Sequence, residues 1–573
     1  MKSRRNPILK AFLFLLVLAV LAGGVFLYWK FAPSRERADL REVYQAEDNR
    51  TILYLNYEKQ EARGIYENGQ TYLPADWVAE HINSRFYWDE NEEMLVYALP
   101  EEILYTDGTA VGSQGEPLIV KREDGVYLSM GLVLNYTKVR IQAFDSTDVK
   151  RVFIENDWDG TPTADVRGRV KVRVEADVKS PILTECCRGD SVTVLETTDE
   201  WVKIATVDGH IGYVKNRKLK NLRSVVPETD FKEPEYKNIS LDEKIVLVFH
   251  QVTIPEANQK MGELLEPAEG VNVIVPTWFT LSDNEGSYES LASRSYVEEA
   301  HERGLQVWAM VDNFSKECSK NVQSEILLSK TATRQKLIER LMDEAAAYGF
   351  DGFNLDFESM KPEALPHYVQ FIRELSVACR KEGLVLSVDN YVPSVYTAGY
   401  NRKEQGIVAD YVIVMGYDEH YAGGEKGSTA SLGFVEQGIK DTLQEVPKEK
   451  VINAVPFYTR LWQEKDGETT SSALGIYKAK DWIEENNVEL SWQDETGQYY
   501  GEFEEADGTR DYLWMEEERS LGLKMDRIRQ NDLAGVACWK LGLESEEIWD
   551  VIWWDQPDGA TGQPKRDDTG AGA

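Results

Sequence analysis

The chain has 573 residues, which at roughly 150 residues per domain points to three or four domains. Hydrophobic residues make up 42% and aromatics 11%, which excludes a disordered chain and a small disulfide-stapled scaffold. The net charge of −35, with no Lys/Arg-rich block beyond the N-terminus, excludes nucleic acid as a partner, because phosphate binding needs clustered Lys and Arg. The excess acid reads as solvated surface.

Residues 1–10 carry Lys2, Arg4, Arg5 and Lys10, and Ala11–Trp29 follows as 19 residues without a charge. That length suffices to span a bilayer core. The basic flank predicts a cytoplasmic N-terminus, and Tyr28 and Trp29 stand where an outer aromatic belt would lie. A cleaved signal peptide is the competing reading, but its apolar region is usually about 7–15 residues and ends at a small-x-small site. Residues 11–30 are therefore read as a single-pass anchor, with everything after Lys30 extracellular. The cysteines are Cys186, Cys187, Cys318, Cys379 and Cys538. The count is odd, no CxxC occurs, and no His/Cys spacing suits zinc. Cys379 and Cys538 lie in apolar runs and read as buried thiols.

Charged residues 34–49 read as a stalk. Within 51–160, two stretches look alike: Thr71–Ala98 and Val126–Ile154. Each has a Tyr-Leu strand start, a short helical segment, a strand, an acidic turn and a last strand. This resembles the extracellular domain named after the N-terminal domain of copper amine oxidases, without copper ligands, and implies a spacer or wall-associated module. Residues 165–222 hold the strand-like runs VKVRVE, DSVTVLE, WVKIAT and IGYVKN between Gly- and Asp-containing turns. With Gly189-Asp190, Trp201 and Gly212-Tyr213-Val214, they resemble bacterial SH3 domains. That resemblance implies either binding of peptidoglycan peptide or a structural spacer, since fold alone does not give function.

Val225–Ser240 reads as a linker, with Pro227, Pro234 and several charges. From Leu241 to Asp555, eight strand-like runs alternate with helical patterns: KIVLVFHQV, VNVIVPTWF, LQVWAMVDN, GFNLDFES, LVLSVDNYV, YVIVMGYD, VINAVPFY and GVACWKLG. This predicts a parallel (β/α)8 barrel, an α/β fold, with the helical stretches Thr333–Tyr348 and Pro366–Glu382 between strands. Residues 464–519 are too long for one crossover and predict a small α+β insertion, with strands near Leu490–Trp492 and Gln498–Phe503. The Gly/Pro/Asp-rich tail, 556–573, reads as disordered.

The fourth run, Asp351-Gly-Phe-Asn-Leu-Asp-Phe-Glu358, carries the chemistry. Side chains alternate along a strand, so Asn354, Asp356 and Glu358 share one face and Phe353, Leu355 and Phe357 the other. In a barrel the polar face looks inward and ends at the catalytic mouth. Three adjacent inward polar groups are costly to bury without a task.

The run resembles the DxxDxDxE signature of family 18 glycoside hydrolases, with Asp351, Asn354, Asp356 and Glu358 in its positions and Asn in place of the second Asp. Met415-Gly-Tyr417-Asp418 resembles the family's M-x-Y-D, and Trp539 stands where the family keeps a Trp under the sugar at the cleavage point. PTWF, PFYTRLW and CWKLGLE resemble the branch of spore cortex-lytic and wall-associated enzymes. The resemblance implies substrate-assisted, retaining hydrolysis of β-1,4 bonds beside N-acetylated sugars, an exception to the usual two-carboxylate scheme. The implied roles are Glu358 as acid and then base, Asp356 holding the acetamido N–H and the oxazolinium charge, and Tyr417 donating to the acetamido carbonyl. Asp418 supports the site and Trp539 floors it. The mechanism requires neither metal nor cofactor. The neighbouring Asp356 carboxylate is expected to raise the pKa of Glu358. Asn354 cannot take the proton that the family's second Asp shares with the third; it is expected to hydrogen-bond Asp356 and alter the acidic limb of the pH profile. Further cleft candidates are Asp351, Met415, Trp278, Tyr391 and Arg460, together with Asp389 and Asn390; His250 and His420 are balanced between cleft and core. Peptidoglycan is the leading substrate, chitin or another GlcNAc polymer the alternative, and a non-catalytic glycan-binding wall protein the different-class alternative.

Overall fold

The computed structural model describes residues 7–113, 115–314, 318–552 and 554. The tail 556–573 and the basic residues Lys2, Arg4 and Arg5 lie outside the described residues. A helix over Pro7–Phe31 opens the chain. Its Lys10–Lys30 stretch has a mean hydropathy of 2.6 and none of it is buried, so by length and composition it could cross a membrane or serve as a signal.

Beyond that helix the chain forms two compact units, divided near residue 233. The first holds two seven-stranded sheets. In one, strand Gln70–Pro74 leads into helix Ala75–His81, and strand Gly125–Ser129 leads into helix Met130–Tyr136. These two strands pair antiparallel, Tyr72 opposite Ser129, so the two similar sequence stretches meet strand to strand. Ser129 caps the second helix through its Oγ and the Leu132 amide. The other sheet spans Thr161–Val225 and closes on a small apolar core that includes Val172, Ile204 and Val214. Cys186 is buried there and Cys187 exposed; both are free thiols, as are the buried Cys379 and Cys538.

The second unit is a closed ring of eight parallel strands. We label them β1 (Ile245–His250), β2 (Val273–Pro276), β3 (Gln306–Asp312), β4 (Gly352–Asp356), β5 (Val385–Tyr391), β6 (Tyr411–Met415), β7 (Val451–Pro456) and β8 (Gly535–Trp539). Neighbours pair in sequence order and β8 returns to β1, Cys538 opposite Val248. Both faces of each strand are buried, which is why the strands read as near-continuous apolar runs. Alternation splits them between two cores. Leu247, Val275, Met310, Ile413 and Ala454 fill the barrel interior. Val246, Ile274, Val311, Leu355 and Val412 pack outward with the helices.

Two helices deliver the chain to the site strands. Helix Thr331–Tyr348 ends on Gly349 (φ 78°) and helix Leu365–Glu382 on Gly383 (φ 71°), both left-handed caps that favour glycine. The chain then enters β4 and β5.

The excursion after β7 begins earlier than residue 464. Tyr458–Lys465 pairs along its length with Glu468–Gly475 and also with Arg510–Met515, in a five-stranded antiparallel sheet that carries helix Ile476–Glu485. In sequence, PFYTRLW runs on from β7 without a break in apolar character, which hides this start. At its far end Glu516 and Lys524 form a fully buried ion pair at 2.8 Å, with Gln498 and Ser520 also bonded to the Glu516 carboxylate. Removing one partner of such a pair leaves a buried charge and typically costs about 3–5 kcal/mol. Lys524→Ala is therefore expected to lower stability by that order in urea unfolding, whereas Lys448→Ala, at an exposed pair with Asp532, should cost under about 1 kcal/mol.

Candidate active site

The site lies at the C-terminal ends of β3–β8, where barrel loops converge. Asn354 and Asp356 are the inward residues of β4, 0% and 4% exposed, and Glu358 follows just past the strand, half-buried. Phe353, Leu355 and Phe357 pack outward with the helices. Asp312 ends β3 directly opposite Asp356 in the strand register. Asp389 and Tyr391 come inward from β5, and Met415 pairs with Tyr391 across the β5–β6 seam.

Glu358 is held from two sides. Tyr391 donates its hydroxyl to Glu358 Oε2 at 2.7 Å. Asn313 clasps the backbone: the Glu358 amide donates to Asn313 Oδ1 at 2.8 Å, and Asn313 Nδ2 donates to the Glu358 carbonyl at 3.1 Å. The acid is thus fixed although it lies beyond the strand. Its pKa is raised, first by burial and then by the charge of Asp418, while the Tyr391 hydrogen bond pulls the other way. Asp418 comes from the β6 loop; Glu358 and Asp356, the neighbour expected to act on it, also repel each other. A raised pKa suits a general acid near neutral pH.

Asn354 does not bond Asp356. Its Nδ2 donates to Asp389 Oδ1 at 2.9 Å and to Ser387 Oγ at 3.1 Å. In the strand register Asn354 lies level with Ser387, and its amide reaches from there one inward step along β5 to Asp389. Asp356 Oδ1 is buried without a protein partner. Burial and the charges of Asp389, Glu358 and Asp312 push the Asp356 carboxyl well above its ordinary value. Asp389 is pushed up to about 8 and Asp312 to about 6, both chiefly by burial.

Tyr417 and Asp418 follow β6. Tyr417 packs edge-on against Tyr458, and burial keeps its hydroxyl protonated. Asp418 has a left-handed φ of 57°, a conformation that Asp tolerates better than most residues. Its Oδ1 accepts from the Tyr458 hydroxyl at 2.6 Å and lies 3.9 Å from the Arg460 guanidinium. The excursion sheet also holds this loop: Trp462 Nε1 donates to the Gly427 carbonyl at 2.8 Å, and Lys426 pairs with Glu464 at 3.0 Å. Trp539, partly buried at the end of β8, packs against Phe249 and the interior core, so its ring closes the barrel floor.

Several candidates fall elsewhere. Asp351 precedes β4, so it stands at the opposite end of the barrel from Glu358, accepting from the Val307 amide and pairing with His301. Trp278 is 1% exposed: its Nε1 donates to Asn258 Oδ1, and Tyr296, Phe279 and Phe350 surround the ring, leaving no face for a sugar. Asn390 points outward to Gln405. His250 stacks on Tyr296 and bonds its hydroxyl, and burial lowers its pKa to about 4. His420 bonds the Ser428 carbonyl. Sequence reasoning missed Asp312, Asn313 and Tyr458. A signal existed for Asp312, which continues the inward alternation of Trp308 and Met310; Asn313 and Tyr458 lie outside any alternation. Among the described residues no His/Cys/Asp/Glu group of three or more is arranged to hold a metal ion.

Residues 273–544 match the family model described as Glycosyl hydrolases family 18. The chain carries a family 18 glycosyl hydrolase domain. Residues 168–220 match the model of a bacterial SH3 domain. The chain is 26% identical over 291 residues to the uncharacterized glycosylase YvbX of Bacillus subtilis, covering 49% of this chain and 84% of that protein. It is 25% identical over 248 residues to the cortical fragment-lytic enzyme of the same organism, covering 42% of this chain and 58%, less than two thirds, of the relative. The solved spore cortex-lytic enzyme SleL of Bacillus cereus aligns with a TM-score of 0.49 at 18% identity, covering 60% of this chain and 77% of that one.

Tyr391→Phe removes a donor that favours ionised Glu358, so the alkaline limb of kcat/KM is expected to move to higher pH; Asp418→Asn removes a like charge and should move it to lower pH. Trp278→Ala should cost about 3–5 kcal/mol in stability, as a large buried aromatic does, and leave KM of the folded enzyme unchanged.

Proposed function

We propose that the barrel hydrolyses β-1,4 bonds of N-acetylated cell-wall glycan, with peptidoglycan as substrate, by a substrate-assisted retaining mechanism. The observation that carries this reading is the inward row Asp356–Glu358 beside Tyr417. One carboxyl, Glu358, is half-buried with a raised pKa at the mouth, and one, Asp356, lies deeper with a free acceptor oxygen. Glu358 protonates the leaving oxygen and later draws a proton from water. The nucleophile is the carbonyl oxygen of the substrate's own acetamido group, so no second protein nucleophile is needed. Asp356 accepts from the acetamido N–H and faces the oxazolinium charge; Tyr417 donates to the acetamido oxygen, and Trp539 supports the sugar's apolar face. Met415, Asp418 and Arg460 shape the wall of the pocket, Arg460 through Asp418.

The names of the cortical fragment-lytic relatives favour a wall substrate. The SH3 domain adds a candidate site for wall peptide, and the apolar helix a single-pass anchor with its N-terminus cytoplasmic and the barrel outside. Chitin is the second reading, because acetamido chemistry serves both polymers.

A zymogram on peptidoglycan and on chitin oligomers tests the substrate, with clearing expected on peptidoglycan; clearing of chitin alone would reject the wall reading. Glu358→Gln should lower kcat by about 10²–10⁴-fold, the usual worth of a positioned acid. Removal of residues 1–30 should shift the protein from the membrane to the soluble fraction.

A further inference from the structure

Four carboxyl groups enter the barrel mouth from three adjacent strands: Asp312 from β3, Asp356 and Glu358 from β4, Asp389 from β5. The side chains whose charges act on Asp356 are Asp389, Glu358 and Asp312, all acidic. Like charges in a dry site cannot all ionise together, so the layer keeps at least one proton beyond that of the acid itself.

Hydrogen-bond donors decide where that proton resides, because each donor favours the ionised form. Asp312 accepts from Thr280 Oγ1 at 2.9 Å and from the Phe314 amide at 3.3 Å. Among the described residues Asp389, 2% exposed, accepts only from Asn354 Nδ2. Asp356 has an unpartnered oxygen, which in the proposed reaction takes the substrate's acetamido N–H; with that donor and the positive intermediate beside it, Asp356 favours the ionised form and Asp389 is left to hold the proton. Two phenols also interact with Asp389: Tyr417, just past β6, and Tyr368 from helix Leu365–Glu382. Burial raises the pKa of each, so each keeps its own proton.

We propose that Asp389 is a positioning residue that stores the proton of this carboxyl layer, so that Asp356 can ionise beside the substrate, with Asn354 fixing the orientation of the Asp389 carboxyl. The inference rests on the glycosidase reading for the role of Asp356. The rise of Asp389 to about 8 agrees with it.

Isotope-edited infrared spectroscopy on full-length protein labelled with ¹³C-aspartate tests the proposal without reference to activity. At pH 7 and with saturating N-acetylglucosamine, whose acetamido N–H supplies the donor to Asp356, the wild type should show the carbonyl stretch of a protonated aspartic acid, lost as pH rises through about 8. Asp389→Asn should abolish that band. A purely structural role would leave the band in place. The exchange Asn354→Asp with Asp389→Asn, which returns a carboxyl to the other side of the same hydrogen bond, should restore it. No band in the wild type, a band that persists in Asp389→Asn, or no recovery in the exchange would overturn the proposal. Full activity of Glu358→Gln would instead bring down the glycosidase reading and leave the infrared result standing.

Discussion

The site depends on one constraint: the carboxyls inside this barrel lose their water, and among the described residues no cation acts on them in exchange. The inward face of β4 puts Asn354, Asp356 and Glu358 where the barrel is dry, and the neighbouring strands add Asp312 and Asp389 at the same level. Desolvation is the leading cause of every raised carboxyl pKa in this layer. The same burial that makes the strands apolar runs in sequence therefore makes their few polar residues chemically useful. Fold and acid strength arise from one physical cause.

The rest of the molecule keeps that layer in place. Tyr391 and Asn313 fix Glu358 by side chain and by backbone. Tyr458 and Arg460 hold Asp418 at the distance from which it acts on Glu358. The glycine caps at Gly349 and Gly383 stop two helices so that β4 and β5 begin in register. None of these contacts is itself reactive, yet each sets a coordinate of the group that is.

The barrel and the row Asn354–Asp356–Glu358 were legible in sequence because alternation and apolar runs report directly on faces and burial. Cross-strand partners were not. That Asn354 turns to Asp389 depends on how β4 and β5 are offset, and no local pattern encodes an offset between strands whose paired residues lie 33 positions apart. Asp351 misled for a related reason: a motif gives order along the chain, while a strand carries its two ends to opposite sides of the barrel. Trp278 misled because a Trp after a strand is equally suited to stacking a sugar or filling a core, and only the ring of Tyr296 and Phe350 decides. Asn313 and Tyr458 act through a loop turn and an excursion strand, whose positions follow from tertiary packing alone.

The sheet that follows β7 is bonded to the β6 loop through Trp462, Gln498 and Lys426. That loop carries Asp418, whose charge reaches the acid. The wall of the cleft and the proton affinity of Glu358 are thus mechanically joined. Grafting a differently shaped excursion onto this barrel, to accept a longer or shorter glycan, would retune the working pH of the enzyme along with its fit.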